Sequence, residues 1–203
     1  MTFSDFQRIV LQHLDQYSVA GQEVPASYNN QADYTNRICA LANTALRIIA
    51  TNTAPLMGTF IPAKNEYKGC TDLPNGLTKI EMPNDFWKMT GQGIPCFKDG
   101  EFHRNMHYQY LTDRAILVPT KELPHIMITY HRYPRKLFGG KNEELDCSDA
   151  AADCASFYVA AQLARQDSPY LYQSLYNEFE QMMARLLPPV TTETSMVEDV
   201  YGF

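Results

Sequence analysis

Eight prolines, Pro55, Pro62, Pro74, Pro83, Pro95, Pro119, Pro124 and Pro134, punctuate the middle of this chain. Proline fixes φ and lacks a backbone donor, so no long helix survives between Pro55 and Pro134. The runs between the prolines are short and β-favouring. Ile94 to Lys98 and Glu101 to Arg104 flank Asp99-Gly100, a pair suited to a tight primed turn. Tyr108 to Leu111 and Arg114 to Val118 flank Thr112-Asp113, a second expected hairpin. Ile126, Ile128 and Tyr130 alternate with Met127, Thr129 and His131, the pattern of a half-buried strand with one wetter face. Residues 55–135 are therefore expected to be an antiparallel β insertion.

Either side of this region the period is helical. Phe3, Phe6, Val10, Leu14 and Tyr17 predict a helix over about 4–17, with Ser4 and Gln7 as a capping box. Gly21 to Asn30 reads as a loop. Tyr34, Ile38, Leu41, Ala45 and Ile48 then form a wide apolar stripe over about 30–52. After Gly139-Gly140, Ser148 is an expected N-cap for a helix over about 148–166, with Asp149 and Asp153 near its positive end and a small-residue face of Ala151, Cys154, Ala155, Tyr158, Ala161 and Leu163. Ser168-Pro169 starts a last helix over about 169–187, carried by Leu171, Leu175, Phe179, Met182 and Leu186. The fold class expected is α+β, mainly an α-helical bundle of two N-terminal and two C-terminal helices with an inserted antiparallel β subdomain. Residues 1–187 form a single domain in this reading. Residues 188–203 form an extended C-terminal arm whose end, Met196, Val197, Val200, Tyr201 and Phe203, is more apolar than a solvated tail requires.

A formal net charge of −6 argues against a protein that gathers duplex DNA through its overall field. Five cysteines with no C-x-x-C pair read as reduced thiols. The stretch from Met1 to Gln7 shows no basic segment leading into an apolar core, so no signal peptide is expected. No uninterrupted apolar run approaches the ~20 residues of a membrane span. The protein is expected to be made and used, or assembled, in the cytoplasm.

Few residues point to chemistry. His103 and His107 are four apart but flank a hairpin, and no glutamate completes a metalloprotease motif. His125 and His131 share a strand face and would join them only in one strand register. Cys147 and Cys154 stand near a helix N-terminus, where a thiol pKa can fall, but no positioned histidine is evident. Asp146, Asp149 and Asp153 read as caps and dipole partners more readily than as metal ligands. Gly91-Gln92-Gly93 leads into a strand, where a phosphate cradle needs a helix. No catalytic residue, metal ligand or cofactor is assigned. The segment from Tyr130 to Lys136 interleaves aromatic and basic residues, as a surface for stacking bases does. It also has the look of a strand edge guarded by charge, and Tyr130, Arg132, Tyr133 and Arg135 are read as a subunit or tail contact.

The order of parts resembles the head-to-tail connector (adaptor) proteins of tailed bacteriophages, including the tail tubular A type of short-tailed phages. The matching stretches are Asn36 to Asn43, Met82 to Trp87, Ile128 to Pro134, the acidic run Glu143 to Asp146, Ala151 to Ala161, and Tyr172 to Phe179, together covering about residues 30–187. The resemblance implies a structural virion protein and not an enzyme: a homo-oligomeric ring, usually of twelve copies, seated between the portal protein and the tail or next neck protein, through which double-stranded DNA passes. It implies a helical ring wall, a β insertion projecting toward the tail or outward, and a C-terminal arm, here Met196 to Phe203, that grips the portal. Competing readings are a tail-completion or baseplate subunit, a cysteine hydrolase or metalloprotein built on Cys147 or the histidines, and a single-stranded nucleic-acid-binding module using Tyr130 to Lys136.

Overall fold

The computed structural model describes residues 1–14, 18–19, 22–23, 29–62, 69–91, 93–98, 101–121 and 126–186. Its architecture is α+β, with four helices and antiparallel sheets among the described residues.

Helix α1 (Phe3–His13) starts one residue before the expected range. Its cap is Thr2, whose hydroxyl oxygen accepts from the Asp5 N–H at 3.2 Å while the hydroxyl donates to the Asp5 carboxylate at 2.6 Å. Thr2 takes the role assigned to Ser4 because its backbone is already extended and tied to Glu144 by an isolated β-bridge. The helix closes at Leu14, short of Tyr17. A hairpin of two-residue strands follows, β1 (Ser18–Val19) just before the expected loop and β2 (Gln22–Glu23) inside it. Helix α2 (Asn29–Asn52) matches its apolar stripe, with Ile38, Ala42, Ala45, Leu46 and Ile49 buried.

The insertion comprises β3 (Leu56–Phe60), β4 (Cys70–Asp72), β5 (Leu77–Glu81), β6 (Phe86–Met89), β7 (Ile94–Lys98), β8 (Glu101–Met106), β9 (Gln109–Thr112), β10 (Ala115–Pro119) and β11 (Ile128–Arg132). These form a four-stranded sheet β4-β5-β10-β9, a three-stranded sheet β3-β11-β6 and the hairpin β7-β8. The hairpin strands flanking Asp99-Gly100 pair as expected, while the turn pair itself lies outside the described residues. The second hairpin turns one residue later than expected, at Asp113-Arg114: Thr112 already pairs with Ala115, and a register shift follows before Ile116. On β11, Ile128 and Tyr130 are buried and Thr129 and His131 half-buried, so the alternation reads correctly. The expectation of an exposed edge there is overturned, because β11 pairs with β3 on one side and β6 on the other. Its first and last neighbours matter for the layout: Leu56, at the start of the insertion, faces Arg132, at its end.

Helix α3 (Asp149–Ala164) is capped by Ser148, whose Oγ accepts from the Ala151 N–H at 3.2 Å. Alanines, Cys154, Ser156, Val159 and Leu163 bury this helix on nearly every side, not on a single face, as suits a central helix touched by α1, α2 and the last helix. Small side chains let three neighbours approach one axis. Helix α4 (Pro169–Leu186) begins with proline at its first position, and Ser168 supplies the cap. It lays Leu175 and Phe179 on α3, with the Phe179 ring 5.2 Å from that of Tyr158.

Two apolar cores result. One gathers the four helices together with Leu137 and Leu145; the other is made wholly from the insertion, around Ile80, Ile94, Ile116, Ile126 and Ile128. No described helix is long and apolar enough to cross a membrane.

Candidate functional site

Residues 133–148 run from β11 to α3 as a strap without helix or strand, apart from the bridge at Glu144. Pro134 removes a donor and holds Tyr133 extended. Gly139, at φ +90°, takes a turn that a side chain would strain. The Glu143 carboxylate folds back into this turn and accepts from the N–H groups of Phe138, Gly139 and Gly140 at 3.0, 3.0 and 3.2 Å. Convergent backbone donors of this kind form a small anion cradle, here filled by the chain itself.

The strap is fixed in three places, to helix α2, to the first residues of the chain and to the end of β11. Asn43 of α2 clamps Leu137 in both directions, its amide donating to the Leu137 carbonyl at 3.0 Å and its carbonyl accepting from the Leu137 N–H at 2.8 Å. The first residues lie along the strap: Phe3 N–H donates to the Glu143 carbonyl at 2.7 Å and Leu145 N–H to the Met1 carbonyl at 3.1 Å. Arg132, at the end of β11, makes a bidentate pair with Asp146, with Nη2 to Oδ1 at 2.8 Å. That pair raises the Arg132 pKa and holds the Asp146 carboxyl below the usual carboxylate range.

The four residues read as a contact surface are thus used differently from one another. Tyr130 is 5% exposed; its hydroxyl donates to Asp85 at 2.9 Å and its ring packs on Phe60 and Phe86, so it offers no outward surface. Arg132 is committed to Asp146. Tyr133 is half-buried, with the Arg47 guanidinium 4.2 Å above its ring centre. Arg135 keeps an exposed side chain while its backbone N–H donates to Asp146 at 2.8 Å. A stacking platform for bases needs exposed rings, and Tyr130 and Tyr133 do not supply one. The arm residues Met196, Val197, Val200, Tyr201 and Phe203 lie outside the described residues.

Between α2 and the strap lies a groove of about 690 Å³, lined by Asn43, Arg47, Ile48, Thr51, Tyr133, Pro134 and Lys136 among others. Arg47 and Lys136 are the cations of its lining, with the Lys136 ammonium 5.9 Å from the Phe138 ring centre, and among the described residues no carboxylate pairs with either. Of the residues that make this groove, the sequence singles out Tyr133, Pro134 and Lys136 within the aromatic-basic segment and Ile48 within the α2 stripe, but gives no sign that Arg47 and Asn43 join them.

The other sequence candidates disperse. His103 and His107 are exposed, His131 stands on β11 beside Trp87, and His125 lies outside the described residues. Among the described residues no three of His, Cys, Asp and Glu come together as metal ligands. Burial, followed by the nearby Lys88, lowers the His131 pKa, and among the described residues its buried Nδ1 has no hydrogen-bond partner. Burial pushes both the Cys147 and Cys154 thiols up to about 11, opposite to the lowering that a helix N-terminus can give. Asp149 accepts from the Met1 ammonium group at 3.2 Å and Asp153 is half-buried one turn on, whereas Asp146 is the partner of Arg132 and not a cap. The sequence matches no family model and no curated protein.

Proposed function

We propose that the chain is a structural subunit of a tailed-phage neck, a head-to-tail connector that assembles as a ring between the portal protein and the tail. The observation that supports this reading best is the separation of labour between the two cores. The helices form a self-contained layer built on the small-residue helix α3, and the β insertion carries a core of its own and joins the helices through the strap. A wall of helices bearing a separate projecting module is what the resemblance implies for a ring subunit. A closed ring needs one surface of each copy to meet a different surface of the next, and the module and the helical layer provide two distinct surfaces.

In this proposal the subunit is assembled in the host cytoplasm and ends in the virion neck. The helices line up as the ring wall, double-stranded DNA passes through the centre, and the segment from Met196 to Phe203 reaches the portal. Arg135, whose side chain is exposed, is the member of the predicted contact set most available to a neighbouring subunit or tail protein, with half-buried Tyr133 beside it. The chain works by binding and not by catalysis.

Native mass spectrometry of the purified protein, alone and then mixed with the portal protein of the same genome, tests the proposal. A closed assembly of about a dozen copies, formed alone or on the portal, is the expected outcome. A monomer that ignores the portal but joins a tail protein would replace the connector reading with that of a tail-completion or baseplate subunit.

A further inference from the structure

We propose that the groove between α2 and the strap is a docking site for the chain's own C-terminal segment, residues 187–203, in the free subunit. This goes beyond the neck assignment and does not depend on it.

The groove asks for an occupant that is both acidic and apolar. Its floor is Ile48, Tyr133 and Pro134, and its cations are Arg47 and Lys136. Arg47 is held in place by stacking on Tyr133 at 4.2 Å, an arrangement that fixes the guanidinium plane and leaves its N–H donors for an anion. Of the strap's carboxylates, Asp146 is paired with Arg132, and Glu143 keeps its charge but is turned into the backbone N–H groups of Phe138, Gly139 and Gly140. Among the described residues neither of these two cations makes an ion pair with a carboxylate.

Residues 187–203 have the complementary composition. They carry Glu193, Glu198 and Asp199, no Lys, Arg or His, and the apolar residues Met196, Val197, Val200 and Tyr201 interleaved with the acids. Their point of departure is also suitable. Near the end of α4, the Sδ of Met183 accepts from the Thr53 hydroxyl at 3.6 Å, and Thr53 is two residues beyond Thr51, which lines the groove. Three residues of helix separate Met183 from Leu186, roughly 4.5 Å. The groove runs along α2 from Asn43 to Thr51, roughly 12 Å. A segment of this length reaches on the order of 50 Å when extended, so it can round the end of α2 and lie along the groove. Tethering makes such docking intramolecular, with an effective concentration on the order of millimolar.

The test uses the full chain and a labelled synthetic peptide of residues 187–203, with binding read by fluorescence anisotropy. In one protein the tail is neutralised by Glu193→Gln, Glu198→Gln and Asp199→Asn. The acidic peptide is expected to bind this variant at least about tenfold more tightly than it binds the unaltered chain, whose own tail competes. Adding Arg47→Glu, or separately Lys136→Glu, to the neutral-tail protein is expected to remove the binding, and rising salt to weaken it. Equal affinity for the two proteins, absence of binding to both, or binding indifferent to both charge reversals would overturn the proposal. So would a difference between the proteins that vanishes on dilution, because the tail would then be reaching a second copy and not its own groove.

Discussion

Arg132 and Asp146, fourteen residues apart in sequence, meet through two parallel hydrogen bonds where the β insertion returns to the helices. The same carboxylate accepts from the Arg135 N–H, so one side chain fixes both the end of β11 and the direction in which the strap leaves it. Asp146→Ala removes all three bonds and leaves a largely shielded guanidinium without its partner. We expect a loss of about 1–3 kcal/mol in stability, measured by urea denaturation, with Arg132→Ala and the double variant completing a cycle whose coupling isolates the pair.

The same pair gives a dependence on acid. The Asp146 pKa is lowered in the folded chain, chiefly by its hydrogen bonds to Arg132. Its contribution is therefore fully present above the ordinary carboxylate value and is lost as pH falls through the depressed folded value. Stability of the unaltered chain should fall more steeply on acidification below about pH 4 than that of Asp146→Asn, and parallel curves for the two proteins would contradict the assignment.

His13 carries a second, milder dependence. Its ring stacks on Phe157 with centroids 4.0 Å apart, and Nε2 lies 3.0 Å from the Ser156 Oγ. The Ser156 hydroxyl donates to the Asp153 carbonyl at 2.6 Å, so the hydrogen on the His13–Ser156 contact comes from Nε2. Burial lowers the His13 pKa below 6.5, the unfolded chain therefore takes up the proton first, and stability drops as pH falls through the range just below 6.5. Nitrogen chemical shifts should report the Nε2–H tautomer at neutral pH, and His13→Gln should flatten the pH dependence in that window.

Gly58 faces Tyr130 across the β3–β11 pair, and a Cβ there would stand 2.5 Å from the tyrosine ring. Gly58→Ala must displace a ring that is packed on two others and hydrogen-bonded to Asp85, so we expect a cost of about 1–3 kcal/mol. Tyr130→Phe, which keeps the ring and leaves Asp85 without its donor, should cost about 1 kcal/mol. Thermal unfolding of the two variants gives the comparison.

Thiol chemistry separates the structural reading from the hydrolase alternative. With the Cys147 and Cys154 pKa values pushed up to about 11, neither is a thiolate at neutral pH. Alkylation of both by iodoacetamide should be slow at pH 7 in the native protein and fast after unfolding, whereas rapid native labelling of Cys147 would revive the hydrolase reading.

Most of the fold was legible because it rests on local signals. The period of α2, the Ser148 cap, Ser168-Pro169 and the alternation through Ile128 and Tyr130 all lie within a few residues of what they determine. What sequence could not supply was long-range partnership. Thr2 became the α1 cap because Glu144 pairs with it, and Tyr130 and Arg132 turned inward because β3 and β6 flank their strand. The groove was hidden for the same reason, since Arg47 and Tyr133 are brought together only by tertiary contact.

Leu56 and Arg132 face one another, so everything between them hangs from the helical layer through a gap one strand pair wide. A module attached at a single doorway imposes almost no condition on the length or direction of the helices on either side. Lineages of this protein could lengthen, shorten or exchange the β part as a cassette while the helical chassis stayed the same, and a short turn joining Pro55 to Tyr133 would be enough to close the gap.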